Sequence, residues 1–389
     1  MPSVKPPYET FAKIRVIGVG GSGANAVAHM VATKVRGVEF VAINTDAQDL
    51  HHTNVSTKVH IGKATTRGLG AGMNPDLGRQ AAEESREEIR DAMKGADLIF
   101  VTGGLGGGTC SGAAPIVAEA AKEAGALVVG VVTRPFAFEG RQRARIAADA
   151  WEALRRNVDA IVTIDNDRIL EVIDKQTSLL HAFRAANEVL RQAVAGIAEL
   201  ITVPGLINVD FADLKAIMVD AGVAHMGIGK ASGEHRMLDA AKSAISSPLV
   251  DTSIQGARGI LFSVIGGPEI TMQEVHEAAK MITESVDPDA KIIFGAVIDR
   301  SMPKRAARVT VIATGLGPTV SPTRTVERPA AGPRALRTNG ENGGFQAAAS
   351  ATSPHEQKLP EPDEDPLEVP AFIRRKIKDR GGDEGKKGK

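Results

Sequence analysis

The sequence predicts an α/β protein: a parallel sheet covered by helices on both faces, a long apolar helix, and then a smaller α+β block. Three observations carry this. Short apolar runs alternate with helix-spaced runs from Lys13 to Ile164, the order that right-handed βαβ units produce. The apolar content comes mainly from Ala, Val, Ile and Leu, with only 3% aromatics, a composition suited to strands buried on both faces. Two glycine-rich loops each leave a strand and open a helix.

Each element has its own warrant. Residues 13–17, 38–43, 97–102, 126–133 and 160–164 are short apolar runs and read as strands. Residues 24–33 and 113–124 have helical spacing, and 75–94 reads as one charged amphipathic helix. Residues 178–200 differ. Leu180, Phe183, Leu190, Val194 and Ile197 spread round more than one face, as in a helix buried between two bodies or in an ordinary core. Strands at 260–265, 292–298 and 309–313 and helices at 235–246 and 272–285 form the second block. After Gly317, Pro, Thr, Gly, Asn and charged residues replace the periodic pattern, a composition that predicts disorder. Apolar side chains return in the stretch from Leu367 to Ile377.

The bulk numbers exclude some classes. The chain has 389 residues, 47 basic and 47 acidic, so nothing global argues for nucleic acid. A single cysteine makes no internal disulfide and suits a reducing, cytoplasmic compartment. No apolar run reaches the roughly 18 residues of a membrane span, and the N-terminus lacks the apolar stretch of a signal peptide.

Chemistry concentrates in the two loops. Gly18-Val-Gly-Gly-Ser-Gly23 fits G-x-G-x-x-G between strand and helix, with Asp46 near the end of the next strand. Alone it fits a Rossmann oxidoreductase or a plain tight turn. Residues 103–112, GGLGGGTCSG, add a second anion cradle, so one polyphosphate can be wrapped from two sides. No Walker A sequence is present: Gly62-Lys63-Ala64 and Gly229-Lys230-Ala231 have alanine where Ser or Thr should meet Mg²⁺.

At this point the motifs resemble a family. Gly106-Gly-Gly-Thr-Cys-Ser-Gly112 is similar to the signature GGGTGTG of the tubulin/FtsZ GTPases. Asn44-Thr-Asp-Ala-Gln48, Arg67-Gly-Leu-Gly-Ala-Gly72, Val132-Thr-Arg-Pro-Phe136, Asn166-Asp-Arg168 and Asn208-Val-Asp-Phe-Ala-Asp213 resemble further segments of that family, in order. So does Val369-Pro-Ala-Phe-Ile-Arg-Arg375 near the end. The resemblance implies a Rossmann-like, parallel-sheet GTPase domain over 11–176, after a flexible 1–10. It implies a central helix over 177–203, a catalytic loop and following helix over 204–222, and a C-terminal α+β domain over 223–315. A disordered linker, 316–365, and a partner-binding tail, 366–389, would follow.

It also implies roles. GTP or GDP, with Mg²⁺, would lie among Gly20, Gly21, Ser22, Gly23, Ala24, Asn25, Gly106, Gly107, Gly108, Thr109, Cys110 and Ser111. Ala71, Gly72 and Met73 resemble the loop that senses the γ-phosphate; the family commonly has glycine at the position of Met73. Asp46, with Thr45, would stand near the phosphates and Mg²⁺; no other side chain is expected to bind the metal. Glu139 and Arg143 resemble ribose and phosphate contacts, although four apart on a helix they also read as a surface ion pair. Asn166 and Asn187 resemble the guanine readers and Phe183 the ring beside the base; without the resemblance, Phe183 reads as core and Asn187 as solvated.

Asn208, Asp210 and Asp213 resemble the catalytic loop that enters the next subunit's site, although Asp210 and Asp213 also suit a helix start. The implied product is a head-to-tail homopolymer, heterologous and open-ended, at the mid-cell division ring. A non-hydrolysing GTP-binding filament protein is the other reading. Val369, Pro370, Phe372, Ile373, Arg374 and Arg375 would dock on membrane-tethering division proteins, at the end of a linker spanning roughly 35–45 Å as a random coil. Lys304-Arg-Ala-Ala-Arg308 stands where family members often carry acidic residues. Cys110 replaces a usual glycine; its side chain is expected to turn away from phosphate, yet to be alkylated readily without nucleotide and protected with it.

Overall fold

The computed structural model describes residues 12–174, 177–203, 205–247, 254, 256–300 and 302–316, all within one compact unit. The chain runs β1 (Ile14–Val19), α1 (Gly20–Ala32), β2 (Val38–Asn44), α2 (Ala47–His52), β3 (Thr57–His60), α3 (Lys63–Thr66), α4 (Pro75–Glu84), α5 (Arg86–Met93), β4 (Leu98–Gly104) and α6 (Gly108–Glu123). It continues through β5 (Leu127–Arg134), a 3₁₀ turn (Ala137–Glu139), α7 (Arg141–Arg155), β6 (Ala160–Asp165), α8 (Asn166–Val172) and α9 (Leu179–Thr202). The last part is α10 (Phe211–Met218), β7 (Gly222–Ser232), α11 (Arg236–Ile245), β8 (Gly259–Gly266), α12 (Met272–Thr283), β9 (Lys291–Ile298) and β10 (Ala306–Thr314).

One ten-stranded sheet carries all of this, in the order β3-β2-β1-β4-β5-β6-β7-β10-β8-β9. Pairing is parallel from β3 to β7; β10 runs antiparallel to both β7 and β8, and β9 is parallel to β8. Strand residues alternate between two cores, as the two-residue pleat requires. Val16, Phe100 and Val129 pack with α1 and α9, whereas Ile17, Ile99 and Val128 face α5, α6 and α7. The expected burial of the sheet on both faces is what the chain does. The α9 residues Leu190, Val194 and Ile197 share a core with Val16 and Phe100 on one side and with Met226, Leu261 and Ile312 on the other. That double contact explains why α9 is apolar on more than one face.

Two helices differ from expectation, and one strand was not expected. The helix read as 75–94 is two helices, broken at Ser85, whose buried hydroxyl accepts the Gly62 N–H at 3.1 Å. The helix read as 24–33 begins at Gly20, so residues of the first glycine loop form its opening turn. The strand β7 carries no clean two-residue alternation; it is specified by its neighbours β6 and β10. Residues 317–389, with the expected linker and tail, lie outside the described residues, as do 1–11.

Candidate functional site

The first six strands follow the doubly wound order, which reverses direction between β1 and β4. Crevices form at the carboxyl ends of strands beside such a reversal. The two glycine loops leave β1 and β4 there and open α1 and α6. Neither helix has a side-chain cap, whereas Asp46, Asn74, Asp165 and Ser178 cap α2, α4, α8 and α9. The first-turn N–H groups of α1 and α6 have no intrahelical acceptor and carry the positive ends of two helix dipoles. They border a cavity of about 390 Å³.

The loops are held before any ligand arrives. The Ser22 hydroxyl accepts the Gly104 N–H at 2.7 Å, joining the two loops, and the Ser111 hydroxyl accepts the Gly106 N–H at 2.9 Å. Thr45 and Thr109 share a hydroxyl–hydroxyl bond of 2.7 Å. The Gly108 N–H donates to Gly72 O at 2.7 Å, tying the 71–74 loop to the start of α6. Gly108 has to be glycine, because a Cβ there would stand 2.8 Å from the carbonyl oxygens of Ala71, Gly72 and Asn74.

Most of the residues singled out in the sequence come together. Gly21, Ser22 and Asn25 of α1, and Gly107, Gly108, Thr109 and Cys110 at α6, line the cavity. Asp46, Ala71, Gly72 and Met73 form another wall, and Glu139, Arg143, Asn166, Phe183 and Asn187 complete it. Gly20, Gly23, Ala24, Gly106 and Ser111 are buried and are not part of that lining. A Cβ on Gly20 would lie 3.1 Å from Cys110 N, and one on Gly23 would lie 2.7 Å from Thr102 O, so these two glycines let loops and strands approach. The Ser111 hydroxyl faces Gly106 and not the cavity.

One end of the cavity suits a flat, polar ring. Phe183 meets Phe136 edge-to-face at 5.7 Å, and Phe138 stacks on Phe136 at 4.9 Å. Asn187 lies one turn beyond Phe183 on α9. Asn166 opens α8 and is 6% exposed; its Oδ1 is buried with no hydrogen-bond partner. Such an acceptor is costly unless a ligand supplies a donor. Glu139 and Arg143 do form an ion pair, but Glu139 ends the 3₁₀ turn while Arg143 sits in α7, so they do not share one helix. The other Glu139 oxygen accepts the Phe136 N–H at 3.0 Å, which fixes the carboxylate at the cavity.

The Cys110 side chain turns away from the cavity as expected, but its depth in the core corrects the expectation of ready alkylation. The residue borders the cavity but is only 3% exposed and packs in the core with Val19 and Val101. Its Sγ lies 2.6 Å from where a Cβ on Gly103 would be, so the glycine makes room for the sulfur. Burial pushes the thiol up to about 12, so ready alkylation in the nucleotide-free protein is not expected.

Asn208, Asp210 and Asp213 are not at the cavity. All three are exposed, at the far end of α9 from Phe183. Asp210 occupies the N-cap position of α10 without making a capping bond, so the helix-start role does not occupy its carboxylate. Asn208 Oδ1 accepts the Gly205 N–H at 2.6 Å and shapes the loop.

Several lining residues received no individual role in the sequence: Asp49, and Asn44, Leu69, Gly104 and Thr133 within segments already singled out. Asn44 is 2% exposed, donates to Asp49 Oδ2 at 2.8 Å and accepts the Thr45 N–H at 2.9 Å. A polar residue ending an apolar strand beside a glycine loop was the available signal. Among the described residues no group of three or more His, Cys, Asp or Glu side chains could hold a metal. Asp46 lines the cavity while its Oδ1 accepts the Gln48 and Asp49 N–H groups. That donor set fits Mg²⁺, which commonly takes one or two carboxylates plus phosphate and water oxygens.

Comparison with known proteins decides the class. The model of the Tubulin/FtsZ family GTPase domain matches residues 13–174, and that of the FtsZ family C-terminal domain matches 222–317. A structure of an FtsZ point mutant from M. jannaschii is 46% identical, covering 79% of this chain and 92% of that one, with a TM-score of 0.76. The chain belongs to the tubulin/FtsZ family. An empty FtsZ dimer from M. jannaschii is likewise 46% identical over 79% of this chain and 89% of that one, TM-score 0.75. A GTPγS-bound protofilament of CetZ2 from Haloferax volcanii is 25% identical over 77% and 92%, TM-score 0.67. The protein is thus a tubulin-like, filament-forming GTPase. Among the described residues no helix is long and apolar enough to cross a membrane.

Proposed function

We propose that this GTPase assembles head-to-tail into cytoplasmic filaments of the cell-division ring, and that each GTP is hydrolysed between two subunits. The observation that carries the reading is a separation. The cavity has anion-binding helix ends and a base-sized polar end, yet Asn208, Asp210 and Asp213 lie outside it, exposed, at the other end of α9. From Phe183 to Thr202 that helix spans about 28 Å. A subunit built this way holds nucleotide at one pole and presents carboxylates at the other, which an open-ended, heterologous contact brings together.

The roles follow from the chemistry. First-turn N–H groups at Gly21 and Ser22, and at Thr109 and Cys110, suit phosphate oxygens. Asn166 Oδ1 suits the N–H donors on the Watson–Crick edge of guanine, Asn187 can bond the same edge, and Phe183 flanks the ring. Arg143, oriented by Glu139, lies where ribose or phosphate can be met. Mg²⁺, held by phosphate oxygens and by Asp46, would neutralise charge on the transferring phosphoryl group. Asp210 and Asp213 from the neighbour would orient water against the γ-phosphate, aided by Asn208. The segment containing Val369, Phe372, Ile373, Arg374 and Arg375 would dock on membrane-tethering partners.

Nucleotide selectivity tests the reading. GTP is expected to bind and to drive sedimentable polymer with Mg²⁺, while ATP, lacking guanine's N1–H and 2-amino donors, and NAD(H) do neither. NAD(H) binding without GTP binding would contradict it.

A further inference from the structure

The end of α9 that leads to the catalytic loop is held by the strands β9 and β10. The Leu206 and Ile207 N–H groups donate to Ala296 O at 2.8 and 3.2 Å, and the Ala296 N–H donates back to Ile207 O at 3.1 Å. This antiparallel bridge lays the loop along the outer edge of β9. Two glycines permit the approach: a Cβ on Gly205 would lie 2.4 Å from Ala296 O, and one on Gly295 would lie 2.6 Å from Leu200 Cδ2. One turn before the helix ends, Glu199 accepts a hydrogen bond from Arg308 Nη2 of β10 at 2.8 Å.

That ion pair is poorly designed for stability. Its side chains are only 21% and 25% exposed, so both charges are largely desolvated. Arg308 Nε is buried with no partner, and the residue opposite Arg308 on β7 is Lys230, a like charge. What the pair does supply is a fixed register: a directional bond between the last full turn of α9 and β10, beside the backbone bridge that seats the loop.

We propose that Arg308 and Glu199 are positioning residues for the catalytic loop. Their bond sets the height of the α9 end against β10, and with it the reach of Asp210 and Asp213 toward the nucleotide of the neighbouring subunit. Neither side chain touches nucleotide. The inference rests on the shared-site reading above.

The test compares Glu199→Gln, Arg308→Gln and the exchange Glu199→Arg/Arg308→Glu in the full chain. It measures GTP affinity of dilute protein, sedimented polymer, and kcat and KM per sedimented subunit. The single variants are expected to bind GTP within about twofold of wild type but to lose about tenfold in kcat at unchanged KM, since small misplacements of catalytic groups cost this much or more. The exchange should recover most of the loss. Wild-type kcat in the single variants overturns the proposal, and so does a loss that the exchange leaves in place. If the single variants fail to fold, Glu199→Asp, which shortens the arm and keeps the charge, should lower kcat about threefold, and an unchanged kcat overturns the proposal. Asp213→Ala is run in parallel. Wild-type hydrolysis by Asp213→Ala contradicts the shared site itself, whereas slow hydrolysis by it with full activity in the pair variants contradicts only the positioning role.

Discussion

The cavity and the 205–213 segment sit at opposite ends of α9 and are built in opposite ways. Around the cavity, polar groups bond one another: Ser22 to Gly104, Thr45 to Thr109, Glu139 to Arg143 and Phe136. In the segment, Asp210 and Asp213 are exposed, the Asp210 carboxylate makes no capping bond, and Leu206 is 75% exposed. The first region is shaped before its ligand arrives; the second holds its backbone firmly but leaves its carboxylates exposed. On the proposed reading, a hydrolytic site divided this way would make chemistry depend on assembly.

Thiol chemistry should show the largest contrast. Burial pushes the Cys110 thiol up to about 12, so at neutral pH it carries far less thiolate than an unperturbed thiol. Iodoacetamide should therefore label Cys110 more than about a hundredfold more slowly than a cysteine placed at Leu206, with or without GDP. Rapid labelling of Cys110 in the folded, nucleotide-free protein would place its side chain outside the core.

Separating binding from hydrolysis comes next in size. Asp213→Ala should bind GTP within about twofold of wild type and assemble, but release phosphate about a hundredfold more slowly per assembled subunit, the lower range for removing a positioned acid or base. Asn166→Ala should do the reverse, weakening GTP binding about tenfold by equilibrium titration because a base-edge bond is lost. If Asn166→Ala left GTP affinity unchanged, the buried Oδ1 would not be the base reader.

The smallest effect belongs to a region that serves neither pole. Arg236, 4% exposed, bonds Glu269 and Glu274 and joins α11 to the start of α12. The Arg305 backbone N–H, with help from Arg236, holds Glu269 down at about 2; the Arg236 guanidinium lowers Glu274. Both carboxyls have depressed folded values, so their stabilisation is present above the ordinary value of 4.5 and is lost as pH falls through the folded values, about 2 for Glu269. Arg236→Met should lower Tm by about 3–5 °C at pH 7, and the gap to wild type should narrow below about pH 4. A pH-independent gap would show that the lost contribution is packing and not charge.

The two regions were also unequally legible in the sequence. The cavity was readable because its parts obey local rules: glycines in turns that leave apolar strands and open helices. What the sequence hid was set by tertiary contact. Ser85 breaks a helix because Gly62 reaches its hydroxyl, and Ser111 turns from the cavity because Gly106 claims it. The Cys110 side chain sits in the core because Gly103 leaves space there. At the other pole, Asp210 and Asp213 were singled out through the family resemblance, but their place beyond the far end of α9 from the cavity is visible only in three dimensions.

Turnover as a function of protein concentration tests the divided site most directly. Phosphate release per subunit, at saturating GTP and Mg²⁺, should be very low in dilute monomeric protein, rise steeply as filaments form, and then level off. A rate per subunit that stays constant down to concentrations where sedimentation shows only monomer would contradict it, because one subunit would then hold everything hydrolysis needs.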